Sequence, residues 1–400
     1  METGAIWKSV FNKLEFLEKL WLGTGILSDE KNHKQKYLGD FEILEKCKSK
    51  IDNLNRNQER LRKAISKGIN DYELVSCISR KTVSSRAFYK LYEIVYKKWF
   101  MYEPNLTCFF MCEAPGGFID ATLDIRRKRG MDTQWLTQSK CDSDSIEYNE
   151  NVNNDNILKI GNNDITNSGC LIQTINVIKN KFPEGVQFIT ADGGIDIDEY
   201  NLQEIILTKL IFSEILLALN IQKKGGTFII KFYDMFCHTT VKLFLLLVSL
   251  YKFVKIIKPK TSRICNSERY ILCNVFDPPP GWKVLLDDLM ETHRKWDGRG
   301  KIKFLDFCPN YTLEPDLINR IAKYNNKIIK NQIDAINECF KIIFCNDLYI
   351  KETYFNMFFN KPHIHDLILY KNQFSLRIEK SLNWLRQHDI QTSRFFQTNY

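Results

Sequence analysis

Two pairs of adjacent glycines, each close to an acid, and a lysine that ends an apolar run are the residues of this chain best placed to do chemistry. The first pair lies in Cys112-Glu113-Ala114-Pro115-Gly116-Gly117-Phe118 and the second in Thr190-Ala191-Asp192-Gly193-Gly194; the lysine is Lys231, directly after Phe228-Ile229-Ile230. A glycine pair lets backbone pass close to a ligand, and a helix that opens there presents unpaired N–H donors. Two further runs join them: residues 262–270 (SRICNSERY) carry Glu268, and residues 85–90 (SRAFYK) carry Lys90. A single lysine or acid is ordinarily a surface charge. Several polar groups at strand ends around one point of a fold need another explanation. The turn at 112–118 is not a Gly-x-Gly-x-x-Gly dinucleotide fingerprint and no Gly-Lys-Ser/Thr follows it, which weighs against NAD and P-loop readings.

The elements that must hold these residues can be read from apolar periodicity. From about residue 84, short apolar runs alternate with amphipathic stretches. Strands are expected at Thr107–Cys112, Trp135–Thr137, Val186–Thr190, Thr227–Ile230, Phe253–Ile257 and Tyr270–Asn274, and helices at Gly117–Arg129, Cys170–Asn180, Glu199–Gln222 and Thr239–Leu250, with Asp142 to Asn156 as a long loop. That alternation predicts a doubly wound α/β fold with a mainly parallel sheet, whose ligands sit outside the carboxyl ends of the strands. Each candidate above falls at such an end or at the entry to a strand, except Lys90, which is expected on a helix leading into the first strand.

Residues 7–70 read as helices from Ile6, Val10, Leu14, Leu17 and Trp21, with Asn53 to Asn70 as an exposed helix or connector. Three prolines at 278–280 mark a domain boundary, since neither a helix interior nor a central strand tolerates them. Beyond it, patterns such as Leu313–Lys330 and Phe374–His388 are helical, giving flanks at 1–79 and 281–400 around a central domain at 80–276.

The 400 residues carry a formal charge of +9, distributed unevenly: 18 basic against 12 acidic residues in 1–90, 21 against 22 in 91–280, and 18 against 14 in 281–400. A neutral centre between basic flanks suits a site whose surroundings hold a polyanion, although solvated helix faces give the same count. With 44% hydrophobic and 26% charged residues the chain is an ordinary globular protein. Its longest apolar run, Leu243 to Tyr251, is less than half of a membrane span, and the N-terminus lacks the basic and apolar regions of a secretory signal. The 12 cysteines form no Cys-x-x-Cys pair and the 6 histidines are dispersed, so the thiols read as small buried hydrophobes in a reducing compartment and no metal site is expected.

Taken in order, Lys90, APGGF at 114–118, ADGG at 191–194, Lys231 and the run at 262–270 resemble the FtsJ-like RNA 2′-O-methyltransferases, most closely the Adrift-type, cap-specific ribose methyltransferases. The resemblance covers roughly 80–276 and implies a Rossmann-like fold that binds S-adenosyl-L-methionine, with Lys90, Asp192, Lys231 and Glu268 as a catalytic tetrad. It also implies cofactor contacts from Cys112, Glu113, Ala114, Pro115, Gly116, Gly117 and Phe118, from Asp192, and from the segment holding Asn163 and Asp164. Asp164 would accept from the adenine amino group, or cap the next helix. Two departures stand out: Glu113 occupies a position where relatives usually carry a small residue, and the WLTQS strand lacks an acid for the cofactor ribose.

The implied chemistry has a physical logic. A ribose hydroxyl is a poor nucleophile until its proton is drawn off, and Lys231 can accept that proton only if its own pKa is lowered. Burial and Lys90 disfavour its charge whereas Asp192 and Glu268 favour it, and no metal is required. The partner implied is RNA, with capped mRNA 5′ ends as first choice and a capping enzyme docked on the flanks as an expectation. Internal sites of ribosomal or transfer RNA, and a turnover-deficient RNA-binding or assembly subunit, remain open readings. Flank aromatics such as Trp282, Tyr324 and Tyr370 are candidates for stacking on a base. Richness in Asn, Ile and Lys fits an AT-rich genome, and the expected setting is the cytoplasm, or a virion if the source is a large DNA virus. Asp277-Pro278-Pro279 is a proline turn and not an amino-methyltransferase motif, because the fourth strand is already followed by Ala-Asp-Gly-Gly.

Overall fold

A sheet of six strands carries the chain's main core in the computed structural model, which describes residues 12–23, 25–28, 38–143, 145–195, 203–297, 304–360 and 364–399. In chain order the strands are β1 (Gly25–Ser28), β2 (Leu106–Met111), β3 (Thr133–Gln138), β4 (Val186–Ala191), β5 (Gln222–Phe232), β6 (Tyr251–Ile257), β7 (Arg269–Phe276) and β8 (Phe304–Phe307). The six-stranded sheet has the order β3-β2-β4-β5-β7-β6, and β1 pairs antiparallel with β8 in a separate ribbon. The four strands from β3 to β5 run parallel, while β7 is antiparallel to both β5 and β6. Parallel neighbours need a crossover, and helices Gly117–Arg127, Ser168–Lys181 and Gln203–Ile221 supply it. No helix separates β6 from β7, so that pair returns antiparallel.

The expected α/β class and every expected strand of the central region are present. Several strands extend further than their apolar residues suggested, β3 and β5 among them. β3 runs from Thr133 to Gln138 because its ladder matches β2 residue for residue, from Leu106 opposite Thr133 to Met111 opposite Gln138. β5 begins at Gln222, five residues before Thr227, and shifts register against β4 between Val186 and Phe188. Backbone pairing with a neighbour carries polar residues into both strands.

Helices Gln203–Ile221 and His238–Leu250 are buried on nearly all sides, which is why neither shows an apolar stripe. The apolar run at 243–251 is thus a core helix leading into β6. Among the described residues, no helix is long and apolar enough to cross a membrane.

The N-terminal helix Lys13–Trp21 starts at Asn12, whose side chain accepts from the Glu15 amide. Its buried face is Phe16, Leu17 and Leu20, whereas Leu14 is 72% and Trp21 45% exposed, so the expected stripe through positions 14, 17 and 21 is corrected. Both sets have helical spacing and packing chose between them; Ile6 and Val10 lie outside the described residues. The strands β1 and β8 also interrupt regions that read as helical.

By compactness the described residues fall into two units interleaved along the chain. One comprises those within 1–39, 97–257 and 268–325, and holds the sheet; the other comprises those within 40–96, 258–267 and 326–400. The second unit contains helices Phe41–Lys48, Arg56–Gly68, Val75–Ile78, Ala87–Val95 and, near the C-terminus, Leu348–Phe358 and Lys371–Gln387. Helix Arg56–Gly68 opens with a capping box made by Asn55 and Gln58. It is not simply exposed, since Ala64, Ile65, Ser66 and Gly68 are buried. A Cβ built on Gly68 would lie 2.6 Å from Tyr354 and 2.7 Å from Phe358, so Gly68→Ala overpacks the contact with helix Leu348–Phe358. Overpacking outweighs the gain in helix propensity, and a net loss of about 1–2 kcal/mol is expected as a lower urea midpoint at unchanged m-value.

Candidate active site

The sheet has its switch point between β2 and β4, where the chain order reverses, and the expected residues of the first unit gather at the strand ends there. β2 delivers Cys112 and Glu113, β4 delivers Asp192, and β5 ends in Lys231 and Phe232. Because β7 runs antiparallel to β5, its start lies beside the end of β5, with Tyr270 in register with Lys231 and Glu268 immediately before. Topology thus brings the acid at the entry of the last strand to the same edge as the lysine.

Lys231 is 8% exposed. Its Nζ lies 3.2 Å from Asp192 Oδ1 and donates to the Asp192 carbonyl oxygen at 2.6 Å. The Tyr270 hydroxyl donates to the same Asp192 Oδ1 at 2.9 Å. Burial works against the charge on Lys231, but Asp192, the Tyr233 hydroxyl and Glu268 together outweigh it and hold the ammonium above the ordinary lysine range. In this state the amine is protonated. Gly194 lets the chain turn tightly here, since a Cβ on it would come within 3.3 Å of the Tyr233 hydroxyl and 3.5 Å of Lys231 Nζ.

The turn after β2 is built in detail. Cys112 adopts a left-handed conformation, with its amide donating to Gln138 O at 2.7 Å. Gly116, at φ 115°, ends the turn in a backbone conformation that a side chain would strain, and helix Gly117–Arg127 follows. The Ala114 amide donates to Ser139 Oγ at 2.8 Å, Tyr148 donates to the same oxygen at 3.1 Å, and the Asn149 amide reaches Pro115 O at 3.0 Å. The loop expected at 142–156 therefore braces the turn. Glu113 is 2% exposed, and its Oε1 takes the Phe118 amide, so one of the helix N-terminal donors expected to be open is capped internally. Its Oε2 is buried without a hydrogen-bond partner, and burial, then Asp192, push the carboxyl well above the usual carboxylate range.

Asn163 and Asp164 lie in the loop before helix Ser168–Lys181. The Asn163 side chain is committed to its own loop, donating to Leu158 O at 2.8 Å and accepting from the Ile160 amide at 2.7 Å. Asp164 Oδ1 accepts from the Thr166 amide at 3.0 Å and hydroxyl at 2.6 Å. It does not cap the following helix; Asn167 does, by accepting from the Cys170 amide. Lys90 belongs to the second unit, half-buried on helix Ala87–Val95. Of the flank aromatics, Trp282 packs edge-on against Phe276, and Tyr324 lies under the guanidinium of the fully buried Arg269, 5.3 Å from its ring centre.

Sequence reasoning missed Glu214, on helix Gln203–Ile221, which accepts from the Gly193 amide at 3.1 Å. The signal was present, as a single acid inside the apolar run 211–219 (IFSEILLAL). Also missed was the role of the arginines flanking the motifs. Within the second unit Arg86 and Arg263 both pair with buried Glu73, and the Asn70 side chain accepts from the Ile264 amide at 2.6 Å, pinning the loop 258–267.

A switch-point sheet carrying a buried amine–carboxylate centre beside a glycine turn defines this unit as a Rossmann-like α/β domain. Residues 83–276 match the FtsJ-like methyltransferase family, and the chain carries an FtsJ-like methyltransferase domain over that span. Among curated relatives, the cap-specific mRNA (nucleoside-2′-O-)-methyltransferase 1 of Mus musculus is 40% identical over 116 residues, 29% of this chain and 13% of that protein. The protein of the same name from Drosophila melanogaster is 28% identical over 260 residues, 61% of this chain and 32% of the relative. The chain thus spans between about an eighth and a third of the length of these relatives. A solved ribosomal RNA methyltransferase, putative, from Plasmodium falciparum is 21% identical with a TM-score of 0.38, covering 49% of this chain and 100% of that one.

FtsJ-like methyltransferases use S-adenosylmethionine. The residues here fit such a group: the turn 112–118 opens a helix at Gly116, Gly194 leaves a cradle beside Lys231 that a Cβ would fill, and the orphaned Glu113 Oε2 asks for a hydrogen-bonding partner.

Proposed function

We propose that this chain transfers a methyl group from S-adenosylmethionine to the ribose 2′-hydroxyl of RNA, at cap-proximal nucleotides of mRNA. The observation that carries this reading is the buried Lys231–Asp192–Tyr270 cluster, with Glu268 beside it, on the same sheet edge as the glycine turn. The tetrad is Lys90, Asp192, Lys231 and Glu268. The cofactor would be held by the turn Cys112, Glu113, Ala114, Pro115, Gly116, Gly117 and Phe118, with Asp192, Asp164 and the loop fixed by Asn163. Once bound, it supplies an already activated methyl group, so the protein's work is to align the hydroxyl and manage its proton. Asp192 and Glu268 orient Lys231, which must shed its resting proton before it can take the one from the hydroxyl.

The cap preference is supported by the names of the relatives and by a cavity within the second unit. It measures about 240 Å³ and is lined by Asn70, Tyr72, Lys258, Lys260, Ser262 and Asn266 among others. Tyr72 offers a ring with the Lys260 ammonium 5.7 Å from its centre, and Lys258 is fixed on Ser262 at 3.0 Å and Asn266 at 2.6 Å. An aromatic face, amide groups and two cations suit a nucleobase with phosphates attached. In the chain this loop leads directly into Glu268. Twelve cysteines without a disulfide fit a cytoplasmic place of action.

The test is to incubate the protein with labelled S-adenosylmethionine and matched capped and uncapped RNAs, then map the label. Label on the 2′-oxygen of the first or second transcribed nucleotide, only in capped RNA, is expected. Internal label irrespective of a cap would replace the cap reading, and no label at all would replace the enzymatic one. Tyr72→Ala is expected to raise the KM for capped RNA about tenfold while leaving cofactor affinity unchanged, as titration and initial rates would show.

A further inference from the structure

Glu214 has no place in the tetrad, yet it is the acid that anchors the turn after β4. It is 1% exposed on a helix whose neighbouring residues Ile211, Phe212, Ile215, Leu216 and Leu217 are all buried. Its Oε1 accepts from the Gly193 amide at 3.1 Å, in the turn that carries Asp192. The same carboxyl faces the Cys112 thiol, in the turn that carries Glu113, closely enough to raise the thiol's pKa beyond what burial does. No side chain would fit on Gly193, because its Cβ would stand 2.2 Å from Glu214 Oε1. A buried acid costs free energy unless something uses it, and this one spends its acceptor on a backbone amide one residue from Asp192.

We propose that Glu214 is a positioning residue for methyl transfer: it ties the turn after β4 to helix Gln203–Ile221 and so fixes Asp192 in the register that engages Lys231. The proposal rests on the function given above and adds to it a residue outside the tetrad. Burial pushes the Glu214 carboxyl up to about 8, against the pull of Lys231, so at neutral pH it is mostly the neutral acid. A neutral acceptor is what the turn uses. Glutamine supplies one of nearly the same shape, whereas leucine supplies none and leaves the Gly193 amide buried without a partner.

The experiment compares full-length wild type, Glu214→Gln and Glu214→Leu at pH 7. Each is assayed for kcat and for KM toward RNA and S-adenosylmethionine, with hydrogen exchange at the Gly193 amide and the Lys231 side-chain ammonium resonance as readouts independent of turnover. Glu214→Gln is expected to keep kcat within about threefold, with Gly193 protected. Glu214→Leu is expected to lose roughly 10- to 100-fold in kcat at little change in KM for RNA, with faster Gly193 exchange and a shifted Lys231 resonance. Equal losses in both variants, or a folded Leu variant at wild-type kcat, would overturn the proposal. If wild type transfers no methyl group the functional reading fails separately. The positioning role then stands or falls on whether the Lys231 resonance moves in the Leu variant and stays in the Gln variant.

Discussion

Lys231→Met is expected to lower kcat by about 10³-fold or more, and Lys231→Arg to be nearly as inactive although it keeps the charge. The amine is the cation that Asp192 Oδ1 faces at 3.2 Å, and Glu268 also favours its charge. Removing it strands carboxylates in a buried site, which either take up protons or destabilise the fold; breaking such a pair costs about 3–5 kcal/mol. The Met variant should therefore lose thermal stability as well as turnover. Arginine separates the two roles. A guanidinium balances Asp192 and Glu268 but never gives up its proton, so it cannot accept one from a ribose hydroxyl. If Lys231 works only as a fixed cation, the Arg variant should retain a substantial rate; if it is the proton acceptor, that variant is folded, close to wild type in melting temperature, and inactive. Single-turnover methyl transfer with matched melting curves decides the matter.

That distinction is needed because charge state was the part of the site sequence could not supply. The positions of Asp192 and Lys231 were legible because each follows an apolar run, at the end of β4 or of β5. The balance at Lys231 was not legible, since it depends on how deeply the amine is buried, on the Tyr233 hydroxyl, and on Asp192, which Tyr270 reaches only through strand register. Glu214 stayed hidden for a related reason: the apolar run shows an acid out of place but not which backbone its carboxyl meets, which the packing of helix Gln203–Ile221 decides. The compact units were hidden more deeply. Residues 258–267 belong with 40–96 and 326–400 through long-range contacts such as Arg263 with Glu73 and the Ile264 amide with Asn70, which no local pattern encodes. Polar stretches of β3 and β5 escaped detection because backbone pairing, and not side-chain burial, makes them strands.

His293 makes the sheet-bearing unit acid-sensitive in a way that can be measured apart from catalysis. Fully buried on helix Trp282–Lys295, its Nδ1 lies 2.8 Å from Ser168 Oγ and its Nε2 2.8 Å from Ser213 Oγ, linking helices Ser168–Lys181 and Gln203–Ile221 through one ring. Ser213 donates its own proton to Lys209 O at 2.8 Å, so Nε2 carries the imidazole hydrogen and Ser168 donates to Nδ1. Burial lowers the pKa from 6.5 to about 4, with Asp297 opposing. In the unfolded chain the ring takes its proton below pH 6.5, while the folded one refuses it until about 4. The unfolded state binds more protons across that window, so this contribution is fully present above pH 6.5 and is lost as pH falls toward 4. The loss should be about 2 kcal/mol between pH 7.5 and 5, and about 3 kcal/mol by pH 4. Glu204, raised by burial to about 6, Glu214, raised to about 8, and Glu113 work in the opposite sense and gain stability as pH falls, so the absolute slope mixes them all. The difference isolates His293: in His293→Leu, urea unfolding at pH 7.5, 6 and 5 should show the wild-type acid slope reduced by that 2 kcal/mol. Parallel slopes in the two proteins would mean that the folded ring accepts its proton as readily as the unfolded one, and that burial does not hold it neutral.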